Sequence, residues 1–261
     1  MEQISETILR ERAIPLRHVF DFIPLHSNPR KGALLSEDAY EHILAHIVFP
    51  QDNNSSGIQY GGKITESKIA NVLQMSNGPV REAIYRLRQE GWIQTIGNRG
   101  SFFVDFSDPA IASQIYQFRL SFETGAFYTL AAKITDAQLN QLYSILTALE
   151  QAKQNSDMVE FRKSDILFHL QVVEFAGGEH YKQIFRSKLL QWYAMSYQLL
   201  VRAMGKENYS HTLEAPGTPT HRELYEALAG HNSALAAERI SKHFTFIPHL
   251  LSSNQSTAAE K

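Results

Sequence analysis

The sequence predicts a mostly α-helical chain in two parts: a small helical module closed by a β-hairpin, then an all-α bundle of about six helices. Apolar residues recur at helical spacing along most of its 261 residues. One stretch alone, "WIQTIGNRGSFFVDF", alternates in the manner of paired strands around a Gly-Asn-Arg-Gly turn. Beyond it, to about residue 250, only helical patterns follow. A composition of 43% hydrophobic and 20% charged residues is that of a globular protein with ample core.

Bulk properties narrow the chemistry. No apolar run approaches a membrane span, and "MEQISETILRERAIPLRH" lacks a signal-peptide core, so no membrane partner and a cytoplasmic location are expected. With no cysteine, disulfides, thiolate catalysis and cysteine-ligated metals are excluded. Eleven histidines remain as nitrogen ligands for a metal. The net charge of −2 gives no bulk attraction to a polyanion.

Residues 1–32, interrupted by Pro15, Pro24 and Pro29, are read as an N-terminal arm. In "LLSEDAYEHILAHIV", Leu35, Ala39, Ile43 and Ile47 form a stripe behind a Ser36 cap. "PQDNNSSGIQYGG" reads as a loop. "TESKIANVL" is a short helix capped by Thr65, and Gln74-Met75 a tight link. A third helix lies in "SNGPVREAIYRLRQEGW", where Val80, Ile84 and Leu87 share one face and Gly91 ends it. Helix, helix, tight turn, helix and two-stranded wing is the winged helix-turn-helix order, assigned to residues 33–106. Asp108-Pro109 suits the start of a new helix. The bundle, residues 107–251, divides into helices over 108–132, 136–154, 157–175, 179–204, 219–229 and 233–250. Residues 252–261 are expected to be a disordered tail.

The third helix presents free backbone N–H groups at Ser76 and Asn77, an arrangement suited to phosphate. Arg81 follows one turn on, and Arg86 and Arg88 are expected to hold the adjacent backbone. Asn98, Arg99 and Gly100 would make a cationic wing tip for the minor groove. The candidate DNA-contacting set is Thr65, Ser67, Ser76, Asn77, Gly78, Arg81, Asn98, Arg99 and Gly100. Charge alone leaves a plain solvated helix equally open. Residues 33–106 hold six Lys/Arg against eight Asp/Glu, net −2; residues 76–104 hold four against two, net +2.

"ITESKIANVLQMSNGPVREAIYRLRQEGWI" followed by "NRGSFFV" resembles the headpiece of the GntR family of bacterial transcription regulators. Ser76, Pro79, Val80, Arg81, Glu82, Ala83, Leu87, Glu90, Gly91, Asn98, Arg99 and Gly100 carry the likeness. It departs at Asn77, where the family usually has an arginine; asparagine suits adenine better than guanine.

In the bundle, Asp165 and His169 stand one turn apart, and His221 and His243 lie in the last two helices. They could converge on a divalent cation or stand apart as ordinary helix histidines. "RLSFE", "DILFH", "HRELYEAL" and "AAERISKHF" resemble the FCD ligand-binding domain of the FadR subfamily, with the shorter six-helix form of its VanR-type variant. That resemblance implies a transition metal, zinc or nickel, on Asp165, His169, His221 and His243, and an effector carboxylate on Arg119. It departs at Ala176-Gly177-Gly178, where relatives often have Ser-Gly-Asn.

The reading that follows is no enzyme but a ligand-responsive DNA-binding regulator. It would be a homodimeric repressor on a palindromic operator, released by a small carboxylate effector. The alternative is a metal-dependent hydrolase on the same Asp/His₃ set, which would need a general base and an oxyanion stabiliser. No motif supplies either.

Overall fold

The computed structural model describes residues 31–48, 58–204 and 218–244. The expected arm up to residue 30, the tail, and the last predicted helix beyond residue 244 lie outside the described residues. Contacts divide the chain into two compact units, Met1–Asp105 and Phe106–Lys261. Among the described residues there are nine α-helices and one two-stranded sheet. No described helix is long and apolar enough to cross a membrane.

The first unit runs α1 (Lys31–Val48), α2 (Glu66–Leu73), α3 (Asn77–Gln89), β1 (Ile93–Ile96), a 3-10 turn (Gly97–Arg99) and β2 (Gly100–Phe103). α1 begins before Ser36, so that residue lies inside the helix and is not its cap. In the predicted stripe Ala39, Ile43 and Ile47 are buried, but Leu35, one turn nearer the start, is half exposed. Their partner is α3, whose Val80, Ile84 and Leu87 are all buried. Each such side chain contributes about 1.5–3 kcal/mol of burial. α2 ends at Gln74, which adopts a left-handed conformation (φ 54°), and the Met75 N–H donates back to the Ala70 carbonyl. That reversal is the tight turn of the helix-turn-helix.

The wing is antiparallel, with Ile93 opposite Phe103 and Ile96 opposite Gly100. Gly100 has φ 103°, which a side chain would strain, so the turn demands glycine there. The loop expected over 50–62 has structure at its end. Phe103 and Gly62 pair through the backbone, and Lys63 bridges Phe102, so residues 61–64 line the second edge of β2.

The second unit is all helical: α4 (Pro109–Ala131), α5 (Asp136–Gln154), α6 (Met158–Gly177), α7 (Glu179–Met204), α8 (His221–Ala229) and α9 (Ser233–His243). Helix starts follow from local chemistry. Asp108 accepts from Ala110 and Ile111 ahead of Pro109, while Thr135 with Gln138 and Thr220 with Glu223 close capping boxes. α6 turns into α7 at Gly177-Gly178; Gly178 has φ 83°, and a Cβ on Gly177 would collide with the Tyr181 ring at 2.4 Å. Leu189 through Met195 are buried all round, which makes α7 the central helix, packed on α4 and α6.

Candidate nucleic-acid interface and metal centre

The start of α3 is open to solvent. Ser76, Asn77, Gly78 and Arg81 are exposed, as are Thr65 and Ser67 at the start of α2 and Asn98 and Arg99 on the wing; Gly100 is half-buried. The apolar stripe of α3 turns inward and leaves this polar face outward. Arg81 holds Glu66 at 3.1 Å with 70% of its side chain exposed, an ion pair that water and salt already weaken. A phosphate can therefore replace the carboxylate at small cost. Arg88 donates to Ser101 Oγ at 3.2 Å and ties α3 to the wing. The guanidinium of Arg99 lies 5.7 Å from the Phe102 ring.

Arg86 corrects the expectation that it grips DNA backbone. It turns inward, donating to Glu37 at 2.6 Å and Glu90 at 3.0 Å, and lies 3.8 Å from the centre of the Tyr40 ring. Burial alone would lower its pKa; Tyr40, Glu37 and Glu90 raise it on balance. Arg86 bolts α3 to α1. Glu90 at i+4 signalled a partner beside it on α3, while Glu37 and Tyr40 on α1 had no signal in the sequence.

In the second unit α6, α8 and α9 bring three histidines together. One nitrogen from each of His169, His221 and His243 falls within 4.8 Å of the others. His221 Nε2 stands 3.3 Å from His169 Nε2 and 2.8 Å from Asp165 Oδ1, and His169 Nε2 lies 3.2 Å from the same oxygen. Tetrahedral donors about 2.0–2.1 Å from a zinc ion would sit about 3.3 Å apart. The Thr220 capping box places His221 at the first position of α8.

On His169 and His243 the outward nitrogen is held as metal ligands require. His169 Nδ1 bonds the Glu123 carboxylate, and His243 Nδ1 donates to the Pro219 carbonyl at 2.6 Å. Both rings are thereby fixed with Nε2 inward. Burial would raise the Asp165 pKa, yet His221 and His169 hold it well below the ordinary value. Burial first, then His221 and His169, pushes His243 down to about 3, so it is a neutral imidazole with an available lone pair. The donor set and its backing fit a divalent transition metal.

Arg119 is buried against this cluster. Its Nε donates to Glu123, the carboxylate that also holds His169. Its guanidinium lies 4.6 Å from the Trp192 ring and 4.4 Å from the Phe244 ring. Nη2 is buried with no hydrogen-bond partner among the described residues. Tyr193, with its ring 5.7 Å from the same guanidinium, has its pKa raised well above the ordinary value by burial first and then by Asp165. Sequence reasoning named Arg119 but missed Glu123, Trp192, Tyr193 and Phe244. The i, i+4 spacing of Arg119 and Glu123 could have flagged the first; nothing in the sequence flags the aromatic rings.

An exposed recognition-type helix with a wing, joined to a helical bundle with an Asp/His₃ cluster, defines a two-domain DNA-binding regulator. Residues 35–103 match the bacterial regulatory proteins of the gntR family, and residues 114–246 match the FCD domain. The chain belongs to the GntR-type transcriptional regulators that carry an FCD domain. It is 27% identical over 189 residues to the gluconate operon transcriptional repressor of Bacillus subtilis (strain 168), covering 72% of this chain and 75% of that one. It is 29% identical over 127 residues to the Nta operon transcriptional regulator of Aminobacter aminovorans, covering 49% of this chain and 60% of that one. Among solved structures, E. coli McbR/YncC superposes with a TM-score of 0.64 at 18% identity, covering 85% of this chain and 98% of that one. This last likeness is one of fold.

Proposed function

We propose that this regulator is a metal-dependent repressor of the FadR subfamily that leaves its operator when a small carboxylate binds in the bundle. The observation that carries the reading is the Asp165, His169, His221 and His243 cluster beside a buried guanidinium whose Nη2 has no partner among the described residues. Zinc or nickel would be held by those four side chains and would offer open coordination positions to a ligand oxygen. Arg119 would meet the other oxygen of the same carboxylate, in a site that Trp192 and Phe244 keep apolar. The repressor sign is supported by the name of one relative, a gluconate operon repressor.

At the other unit, Ser76, Asn77, Gly78 and Arg81 would contact the major groove, with Thr65 and Ser67 on flanking phosphates. Asn98, Arg99 and Gly100 would enter the minor groove. A homodimer would place two such faces on the half-sites of a palindrome. Effector binding can weaken DNA affinity only by the difference in its affinity for the two states.

Elemental analysis of protein purified without chelators should find about one metal per chain, and none in the His169→Ala/His221→Ala double variant. Sedimentation should give a dimer. A duplex selected from a random pool should then be released by carboxylates only from metal-loaded protein. A metal-free wild type that resists reconstitution, or release that ignores metal, defeats the reading.

A further inference from the structure

One cation in the bundle has no role in the site above. Arg186, on the central helix α7, is only 9% exposed, yet its Nε and Nη2 are buried with no hydrogen-bond partner among the described residues. Burying guanidinium donors unpaired is costly, because they lose water and gain nothing in exchange. The two unmatched nitrogens are also informative. Nε and Nη2 form the side of the guanidinium fork that takes both oxygens of one carboxylate. The chain shows that grip elsewhere: Arg222 holds Glu150 through Nε at 2.8 Å and Nη2 at 2.5 Å. On Arg186 the same edge meets no carboxylate of the described chain.

Position says what could fill it. Arg186 precedes Tyr193 by seven residues, two helical turns, so both stand on one stripe of α7. Tyr193 is the residue of that stripe beside Arg119 and Asp165. The level of Arg186 is that of Phe185, whose ring stacks 5.2 Å from Phe122 on α4, one residue from Glu123. Phe185, next to Arg186 in sequence, thus packs on α4, the helix that carries Arg119. Arg119 likewise keeps a buried nitrogen unmatched. Arg119 is charge-paired with Glu123 and its Nη2 still calls for an acceptor, while Nε and Nη2 of Arg186 meet no carboxylate among the described residues.

We propose that Arg186 is a second anionic anchor of the effector pocket, and that the effector is a compact dicarboxylate spanning the Arg119 and Arg186 guanidinium groups. This rests on the carboxylate-effector reading given above.

The test titrates the zinc-loaded full-length protein by calorimetry with succinate, glutarate and adipate, each beside the monocarboxylate of equal length: butyrate, pentanoate and hexanoate. One diacid should bind at least about tenfold more tightly than its monoacid. Arg186→Met should bring that diacid down to the monoacid level and leave the monoacid unchanged. Arg186→Lys, which keeps the charge without the fork, should retain only part of the preference and carries the test if the Met variant does not fold. Diacids and monoacids that bind alike would overturn the anchor while the effector pocket stands. Zinc-loaded protein that binds neither would overturn both. Ligand-free Arg186→Met should melt above the wild type, since a buried unpaired charge is gone; melting below it, with loss of dimer on sedimentation, would assign Arg186 to a carboxylate of a second copy and overturn the proposal.

Discussion

Arg81 and Arg119 each hold a glutamate, and the two pairs have opposite consequences. The Arg81–Glu66 pair sits in water at the exposed start of α3. The Arg119–Glu123 pair is sealed in the bundle, with both side chains at least 97% buried. An exposed pair is a placeholder, since solvent has already taken most of its energy and a phosphate can take over the arginine. A buried pair is a fixture, since neither member can leave without stranding the other. The same two residue types thus give an exchangeable contact in one unit and a rigid scaffold in the other.

The largest expected effect comes from breaking the fixture. Glu123 joins Arg119 to His169, and its own carboxyl, which burial would raise, is held below the usual value by those two neighbours. Glu123→Gln keeps the volume and removes the charge, leaving Arg119 buried and uncompensated. Urea denaturation should show a loss of about 3–5 kcal/mol. A loss under about 1 kcal/mol would place Glu123 in the exposed class after all.

Acid separates the units next. His243 is held near 3 where an unfolded chain would titrate near 6.5, by burial and then by His221 and His169. Between those values the unfolded state binds the proton and the folded one does not, so stability rises with pH across that window. Asp165 works further down, its stabilisation being lost only below the ordinary carboxylate value of 3.8. Chelator-treated protein should therefore denature at lower urea at pH 5 than at pH 7. An unchanged midpoint for the bundle transition would contradict the lowered pKa of His243.

How much of this was legible beforehand follows the same division. Boundaries written in local chemistry could be read: α5 runs from the Thr135–Gln138 box to Gln154 and α7 starts after Gly178, both as expected. Ser36 misled because a capping residue also serves inside a helix, and α1 starts before it. Arg86 misled because its direction is set by Glu37, forty-nine residues away. Spacing left Asp165, His169, His221 and His243 open between a cation site and ordinary helix histidines, and resemblance to a family carried the metal reading. Glu123 lay in plain view four residues after Arg119, but its contact with His169 spans forty-six residues of sequence. Tertiary pairing of charges was the part that local pattern did not hold.

A smaller effect, on function alone, is expected at the exposed pair. Arg81→Ala removes an exposed side chain whose partner is a surface glutamate, so urea stability should stay within about 1 kcal/mol of wild type. Affinity for a selected duplex should fall about ten- to a hundredfold, the worth of one charged contact. Its salt dependence should become shallower by about one unit of slope, read by fluorescence anisotropy across a salt series. Equal affinity in the variant would remove Arg81 from the interface.

Glu66→Gln should give the smallest change and the sharpest comparison with Glu123→Gln. It is the same substitution, made opposite an arginine that already faces water. Removing the carboxylate frees Arg81 from its competitor and takes one negative charge from the surface proposed to approach phosphates. Stability should shift by less than about 1 kcal/mol, while duplex affinity at low salt should rise by a few-fold, about 0.5–1 kcal/mol, and converge with wild type as salt screens the charge. An affinity that falls instead would mean that Glu66 positions Arg81 for DNA. The exposed pair would then be a fixture too, and the contrast between the two units would fail at its surface end.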